Sequence, residues 1–342
     1  MRDFSDDRIL VTGGAGLIGS AIVWALNQLG QRNIIIADFL RQSDKWKNLS
    51  PLRFLDYLEA DDLDRRVREQ PASLNKIKLV FHLGACTDTT EKDGAYLIRN
   101  NFEYTKRLAE WALGQGARFV YASSAATYGG LEQNLNEDLA LSTLRPLNMY
   151  GYSKHLFDCY AQQHGFLDQM VGLKYFNVFG PNEYHKGAMR SMVHKAIEQI
   201  RATGTVRLFR SYRPAFADGC QQRDFLYVKD AVSMTIHLAQ SEKAGGLFNI
   251  GSGRASTWLE LIESVFRAYG KPSKIEFIDM PEELREKYQY STCARLDRLR
   301  ATAYSQPITP LAKAVEDCVQ HYLIPGTTLG DERPAVDRHT SG

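Results

Sequence analysis

The stretch RILVTGGAGLIGSAIVWALNQLG, residues 8–30, constrains the fold more than any other part of the chain. A strand-length apolar run enters a turn in which Gly13, Gly16 and Gly19 are evenly spaced, and Gly14, Gly16 and Gly19 also satisfy GxGxxG. Glycine suits these positions because the chain turns tightly, its backbone must approach a pyrophosphate, and the following helix must pack against the strand. The amino end of that helix then faces the phosphates. A second apolar run, NIIIAD, ends in Asp38, where a carboxylate accepts the adenosine ribose hydroxyls of a dinucleotide. That carboxylate favours NAD by repelling a 2′-phosphate, whereas Arg41 and Lys45 just downstream can neutralise one, so the pattern admits NAD or NADP.

The runs RILVT, NIIIAD, KLVFHLG, RFVYASS and MVGLKYFNV alternate with amphipathic stretches. Such a rhythm predicts an α/β chain, a Rossmann-type doubly wound parallel sheet with ligands at the carboxyl ends of its strands. After NVFGPNEYHKG the rhythm loosens into a helix candidate from Ala188 to about Ala202, then VRLF, then the polar and aromatic loop RSYRPAFADGCQQRDF. LFNIG, the helix-like TWLELIESVFRAYG, KIEFIDM and a last helix candidate from Pro310 to Tyr322 follow. The expected organisation is a dinucleotide-binding domain over 1–180, with segments near 223–255 returning to it. A smaller mixed α/β substrate lobe takes up most of 181–324. Residues 325–342, polar and rich in Gly and Pro, read as a flexible tail.

The 342 residues, 44% hydrophobic and 24% charged, suffice for one large domain or a domain with a lobe. Lys and Arg exceed Asp and Glu by 42 to 40 without a run of like charge, which favours a small-molecule partner over nucleic acid or an anionic membrane. The opening MRDFSDDRILVTGG carries acids where a signal peptide has a basic start, and no apolar segment approaches the roughly 20 residues of a membrane span. Cys86, Cys159, Cys220, Cys293 and Cys318 are odd in number and scattered, as suits free thiols. A soluble, cytoplasmic protein is expected. The eight histidines show no closely spaced ligand pattern with Cys, Asp or Glu, so no metal site is expected.

MYGYSK, residues 149–154, opens a second helix-like stretch. Residues four apart share a helix face, which pairs Tyr150 with Lys154 and turns Tyr152 elsewhere. A phenol is a poor base at neutral pH unless a neighbouring cation favours phenolate, and Lys154 is that neighbour. RFVYASSAATYGG puts Ser123 and Ser124 where a strand ends above the cofactor crevice. Ser124 can then bond a substrate oxygen, and the set suits oxidation of an alcohol by hydride transfer.

VTGGAGLIGS, YASSAATYGG and YGYSK together resemble the extended short-chain dehydrogenase/reductase family of nucleotide-sugar epimerases and dehydratases. FHLGACTDTTEKDG, PLNMYGYSKHLFD, KYFNVFGPNEYHKGAM, RDFLYV and NIGSGRAST extend the resemblance, from about Ile9 to Leu323, to the branch acting on an ADP-heptose. It implies inversion at C6 of the heptose for lipopolysaccharide inner-core synthesis, by transient oxidation with one tightly held NADP or NAD per subunit, in a homo-oligomer that in this branch is a pentamer. Ser124, Tyr150 and Lys154 match the family's catalytic residues, and Lys186 matches a second acid/base. Once the ketone turns over, its oxygen points away from Tyr150, and a separate group must donate the proton.

By matching position, the implied cofactor contacts are Leu17, Ile18, Asp38, Phe39, Lys45, Leu83, Gly84, Ala85, Cys86, Thr87, Asn100, Val178, Lys154 and Lys186. The implied substrate contacts are Asn177, Ala188, Lys195, Phe209, Arg210, Ser211, Tyr212, Arg223 and Tyr288, with Arg210 and Arg223 as candidate pyrophosphate clamps. The chain departs from the family pattern at Ala188 for serine, Lys195 for histidine, Leu83 for an acid and Ala60 for a lysine, and in a longer loop from Arg213 to Cys220. A 4,6-dehydratase would want an Asp-Glu pair beside the catalytic serine, where this chain has AATYGG, and HKGAM favours the heptose branch over a UDP-sugar 4-epimerase. Against a catalytically silent dinucleotide sensor stand the intact Ser124, Tyr150 and Lys154.

Overall fold

The computed structural model describes residues 3–69, 74, 76–285 and 288–331. Its strands, in chain order, begin with β1 (Arg8–Thr12), β2 (Ile34–Asp38), β3 (Asp56–Glu59), β4 (Ile77–His82), β5 (Arg118–Ser124), β6 (Val171–Tyr175) and β7 (Asn177–Phe179). They continue with β8 (Val206–Phe209), β9 (Gln222–Arg223), β10 (Phe225–Tyr227), β11 (Gly246–Ile250), β12 (Ser256–Thr257) and β13 (Ile275–Ile278). The principal helices are α1 (Leu17–Gln28), α2 (Ala60–Glu69), α3 (Gly94–Leu97), α4 (Tyr104–Gly114), α5 (Met149–Gln163), α6 (Met192–Thr203), α7 (Val228–Gln240) and α8 (Trp258–Tyr269).

Seven strands form one sheet in the order β11-β6-β5-β4-β1-β2-β3, every pair parallel. Parallel strands covered on both faces read as unbroken apolar runs, and β2, IIIAD, is buried at every position. Helix α1 packs with α7, and α2 packs with α4, giving the sheet its helical layers. The chain leaves β1 toward β3 and resumes on the other side of β1 at β4. That reversal opens a crevice at the carboxyl ends of β1 and β4, the place where doubly wound sheets take ligands. Strand β11 brings the chain back to this sheet after residue 245.

Four elements differ from the sequence expectation. Strand β3, DYLE, was not anticipated: it is an edge strand with Leu58 as its only buried residue, so it lacks an apolar run. MVGLKYFNV is two strands, because at Phe176 the chain changes partner. The Phe176 N–H still bonds Ile250 O on β11 (3.0 Å), whereas the Asn177 N–H bonds Asp224 O (3.1 Å) and β7 pairs with β10. The helix expected from Ala188 starts at Met192, since Tyr184–Met189 is a tight 3-10 turn broken at Gly187 (φ 51°). The last helix covers Leu311–Cys318 and widens into a π turn over Val319–Leu323.

The segment read as a tail begins anchored. Leu329 is fully buried and its N–H bonds Asn182 Oδ1 at 3.0 Å; residues 332–342 of that reading lie outside the described residues. All five cysteines are free thiols. Among the described residues no helix is long and apolar enough to cross a membrane, and no cluster of His, Cys, Asp or Glu could hold a metal ion.

Candidate active site

The crevice is a cleft of about 550 Å³. Its floor is the glycine turn. Gly13 has φ +67°, and a Cβ there would stand 2.7 Å from the backbone of Leu83 and Gly84; one on Gly19 would overlap the Gly13 carbonyl. A side chain at Gly13 would push the turn off the chain after β4, and one at Gly19 would push α1 off the turn itself. Gly16 caps α1 without a side chain, so the first turn, Leu17 to Gly19, meets the cleft with its backbone.

Asp38, at the end of β2, accepts from Ala15 N–H through Oδ2 (2.9 Å) and from Phe39 N–H (2.7 Å) and Lys45 Nζ (2.5 Å) through Oδ1. Arg41, Ser43 and Lys45 line the same end, with the Arg41 guanidinium 4.8 Å above the Phe39 ring. Both arguments from sequence, the ribose-binding carboxylate and the cations beside it, meet at one place.

At the opposite end Ser124, Tyr150 and Lys154 line the cleft together. Helix α5 starts where it does because Asn148 caps it, accepting the Gly151 N–H at 2.7 Å. One turn separates Tyr150 from Lys154, and Tyr152 points to solvent, 45% exposed. Lys154 Nζ donates to Ala122 O at 3.0 Å. Burial brings its ionisation down to about 8, against the pull of the Asp158 and Cys86 charges. The Tyr150 phenol departs from the sequence expectation: burial raises it above its usual value, and the Ser124 hydrogen bond only partly offsets this. In this state desolvation outweighs any help to the phenolate.

Lys186 enters from the Tyr184–Met189 turn. Its Nζ is 3.9 Å from Glu183 Oε2, and Glu183 is fully buried, with the Gly180 and Ser191 N–H groups bonded to its carboxylate (3.1 and 2.6 Å). The remaining cofactor positions implied by resemblance, Phe39, Leu83 to Thr87, Asn100 and Val178, all line this cleft. The implied substrate positions do not. Phe209, Arg210, Ser211 and Tyr212 leave the end of β8, where Arg210 pairs with Asp218 (3.2 Å) and Asp279 (3.8 Å), and Tyr212 OH donates to Asp279 (3.0 Å). Arg223 stacks 4.8 Å from the Tyr288 ring, whose hydroxyl accepts from Trp258 Nε1 (2.9 Å). Asn177 and Ala188 are exposed, and Lys195 lies on α6.

Two groups buried behind the cleft lining escaped the sequence reading. His82, fully buried, sits in a chain whose directions are fixed by its ends. Thr105 Oγ1 donates to Asn101 O (2.6 Å), so it accepts from His82 Nε2 (2.8 Å). His82 Nδ1 then accepts from Thr12 Oγ1 (2.7 Å), which accepts from Gly84 N–H (3.1 Å). Burial, with the Lys154 charge, takes His82 down to about 3 and keeps it neutral. Asn101 is also fully buried, accepting from Cys86 N–H (2.8 Å) and donating to Cys86 O and Ser153 Oγ (both 3.0 Å), while Ser153 Oγ donates to Tyr150 O (2.7 Å). It ties the loop after β4 to α5. Neither residue carries a spacing signal, because each works through neighbours far away in sequence.

The family model for the NAD dependent epimerase/dehydratase family matches residues 9–251. The chain belongs to this family. A relative from Nitratidesulfovibrio vulgaris (strain DP4), named ADP-L-glycero-D-manno-heptose-6-epimerase, is 48% identical over 315 residues, covering 92% of this chain and 97% of the relative. One of the same name from Fusobacterium nucleatum subsp. nucleatum is 43% identical over 325 residues, covering 92% and 98%. The crystal structure of the Helicobacter pylori ADP-L-glycero-D-manno-heptose-6-epimerase superposes with a TM-score of 0.78 at 27% identity, covering 94% of this chain and 98% of that one. Leu83 and Ala60, two of the departures from the resemblance, both line the cleft and present apolar side chains to it.

Proposed function

We propose that this enzyme inverts C6 of the heptose in ADP-D-glycero-D-manno-heptose, giving the L-glycero epimer for lipopolysaccharide inner-core synthesis. The observation that carries the reading is the joint presence of Ser124, Tyr150, Lys154 and Lys186 in one cleft of a chain 43 to 48% identical to relatives of that name. The glycine cradle at Gly13 and Gly19, the start of α1 with no side chain over its N–H groups, and Asp38 fit a nicotinamide dinucleotide. When bound, that cofactor supplies a reversible two-electron oxidant at the Tyr150 end. Ser124 holds the C6 oxygen, Tyr150 takes its proton as the alcohol becomes a ketone, and Lys154 supports the phenolate during that transfer. After the ketone has turned, Lys186 delivers a proton to the oxygen on the other side, and the opposite configuration results.

NADP is the cofactor we favour, because Lys45 meets the Asp38 charge and Arg41 adds a second cation at the adenosine end. Asn177, Ala188, Lys195, Phe209 to Tyr212, Arg223 and Tyr288 are the proposed substrate contacts, mostly on a lobe over 181–324. The same reading makes the protein a cytoplasmic homo-oligomer, a pentamer as the resemblance implies. The test is single replacement: Tyr150→Phe and Lys186→Met should each cut epimerisation about 100-fold or more while leaving the cofactor bound. Two variants with undiminished turnover would end the two-acid reading.

A further inference from the structure

Below the cleft, α5 is fastened to β5 at two successive turns. Lys154 Nζ bonds Ala122 O at 3.0 Å; four residues on, the Asp158 carboxylate accepts from Tyr121 OH (2.9 Å) and Ser123 Oγ (2.7 Å), Ser123 being the residue before Ser124. Asp158 is fully buried. So is Lys174 of β6, whose Nζ stands 3.8 Å from Asp158 Oδ2, 2.7 Å from Thr127 Oγ1 and 4.4 Å from the centre of the Tyr128 ring. One buried carboxylate thus stands against Lys174 from the sheet and one helical turn from Lys154, a second buried lysine on its own helix.

We propose that Asp158 is a positioning residue shared by these lysines, and that Lys174, which no step of the reaction uses, sets through it how firmly Lys154 holds its proton beside Tyr150. This rests on reading Tyr150 and Lys154 as the proton-handling pair. Buried ammonium groups depend on the nearest anion, and a second claimant weakens its hold on the first. Around Lys154 stand His82 of β4, Cys86 of the loop after it, and Tyr150 and Asp158 of α5. Around Asp158 and Lys174 stand Tyr121 and Ser123 of β5, Tyr128 and Glu137 beyond it, and His155 and Cys159 of α5. Burial lowers Lys154 and Lys174 alike, and for both the Asp158 charge is the first force opposing it.

The test is the alkaline limb of the pH–rate profile, where Lys154 loses its proton. Asp158→Asn should move that limb to lower pH by about one unit, and Lys174→Met should move it to higher pH by a similar amount, because Asp158 then serves Lys154 alone. Lys174→Arg should restore the wild-type limb. Lys174→Met keeps the carboxylate in place, so the test survives if the Asp158 variant does not fold. A scaffold role would lower the rate with the limb unmoved, or shift both variants the same way, and either result overturns the proposal. If Tyr150→Phe epimerises like the wild type, the underlying reading fails and the proposal falls with it.

Discussion

Acid should loosen this fold through His82. The imidazole is sealed between Thr12 and Thr105 and held near 3, against 6.5 for a free histidine. The folded state therefore binds fewer protons than the unfolded state between these values, and stability, complete above pH 6.5, falls as the pH drops toward 3. From pH 7 to pH 4.5 this one group should cost about 2.5 kcal/mol, an order-of-magnitude figure obtained from the two ionisation values. Urea unfolding of wild type and His82→Asn across that range isolates it. The variant loses the ring's hydrogen bonds to Thr12 and Thr105 and starts from lower stability, but its pH slope should be shallower by that amount. His185, which burial and the Lys45 and Lys186 charges hold near 4, contributes its own slope to both proteins and cancels in the difference. Parallel slopes would refute the neutral, buried assignment of His82.

Gly13→Ala places a Cβ 2.7 Å from the Gly84 backbone at φ +67°, so a loss of about 2–5 kcal/mol in unfolding free energy is expected, with weakened cofactor retention on gel filtration. Lys45→Ala should weaken NADP more than NAD by about tenfold in equilibrium binding, since it removes the cation that offsets Asp38. Leu329→Ala should cost about 2–5 kcal/mol in thermal or chemical unfolding, as the side chain is fully buried beside Asn182.

Much of the site was legible because its chemistry is local. The glycine turn, the Asp38 strand end and the Tyr150–Lys154 turn each need particular residue types at fixed spacing, and each lies inside a regular element whose period is visible. The same periodicity exposed six of the seven sheet strands and hid β3, whose four residues bury a single side chain. The partner switch at Phe176 and the break at Gly187 were hidden because they depend on Asp224 and on a turn geometry that no apolar pattern encodes. His82, Asn101 and Lys174 were invisible for the same reason. Their partners, Thr12, Ser153 and Asp158, come together with them only when strands and helices distant in sequence pack side by side. The phenol of Tyr150 shows the converse limit: its lysine neighbour was readable, but the burial that opposes it was not.

The central claim is tested most directly by incubating the purified protein with ADP-D-glycero-D-manno-heptose, resolving the C6 epimers by chromatography and identifying the released cofactor by mass. Conversion to the L-glycero epimer with NADP released is the predicted result. A protein that retains a dinucleotide yet leaves the substrate unchanged would contradict the account, and would direct attention to Ala188, Lys195 and the loop from Arg213 to Cys220.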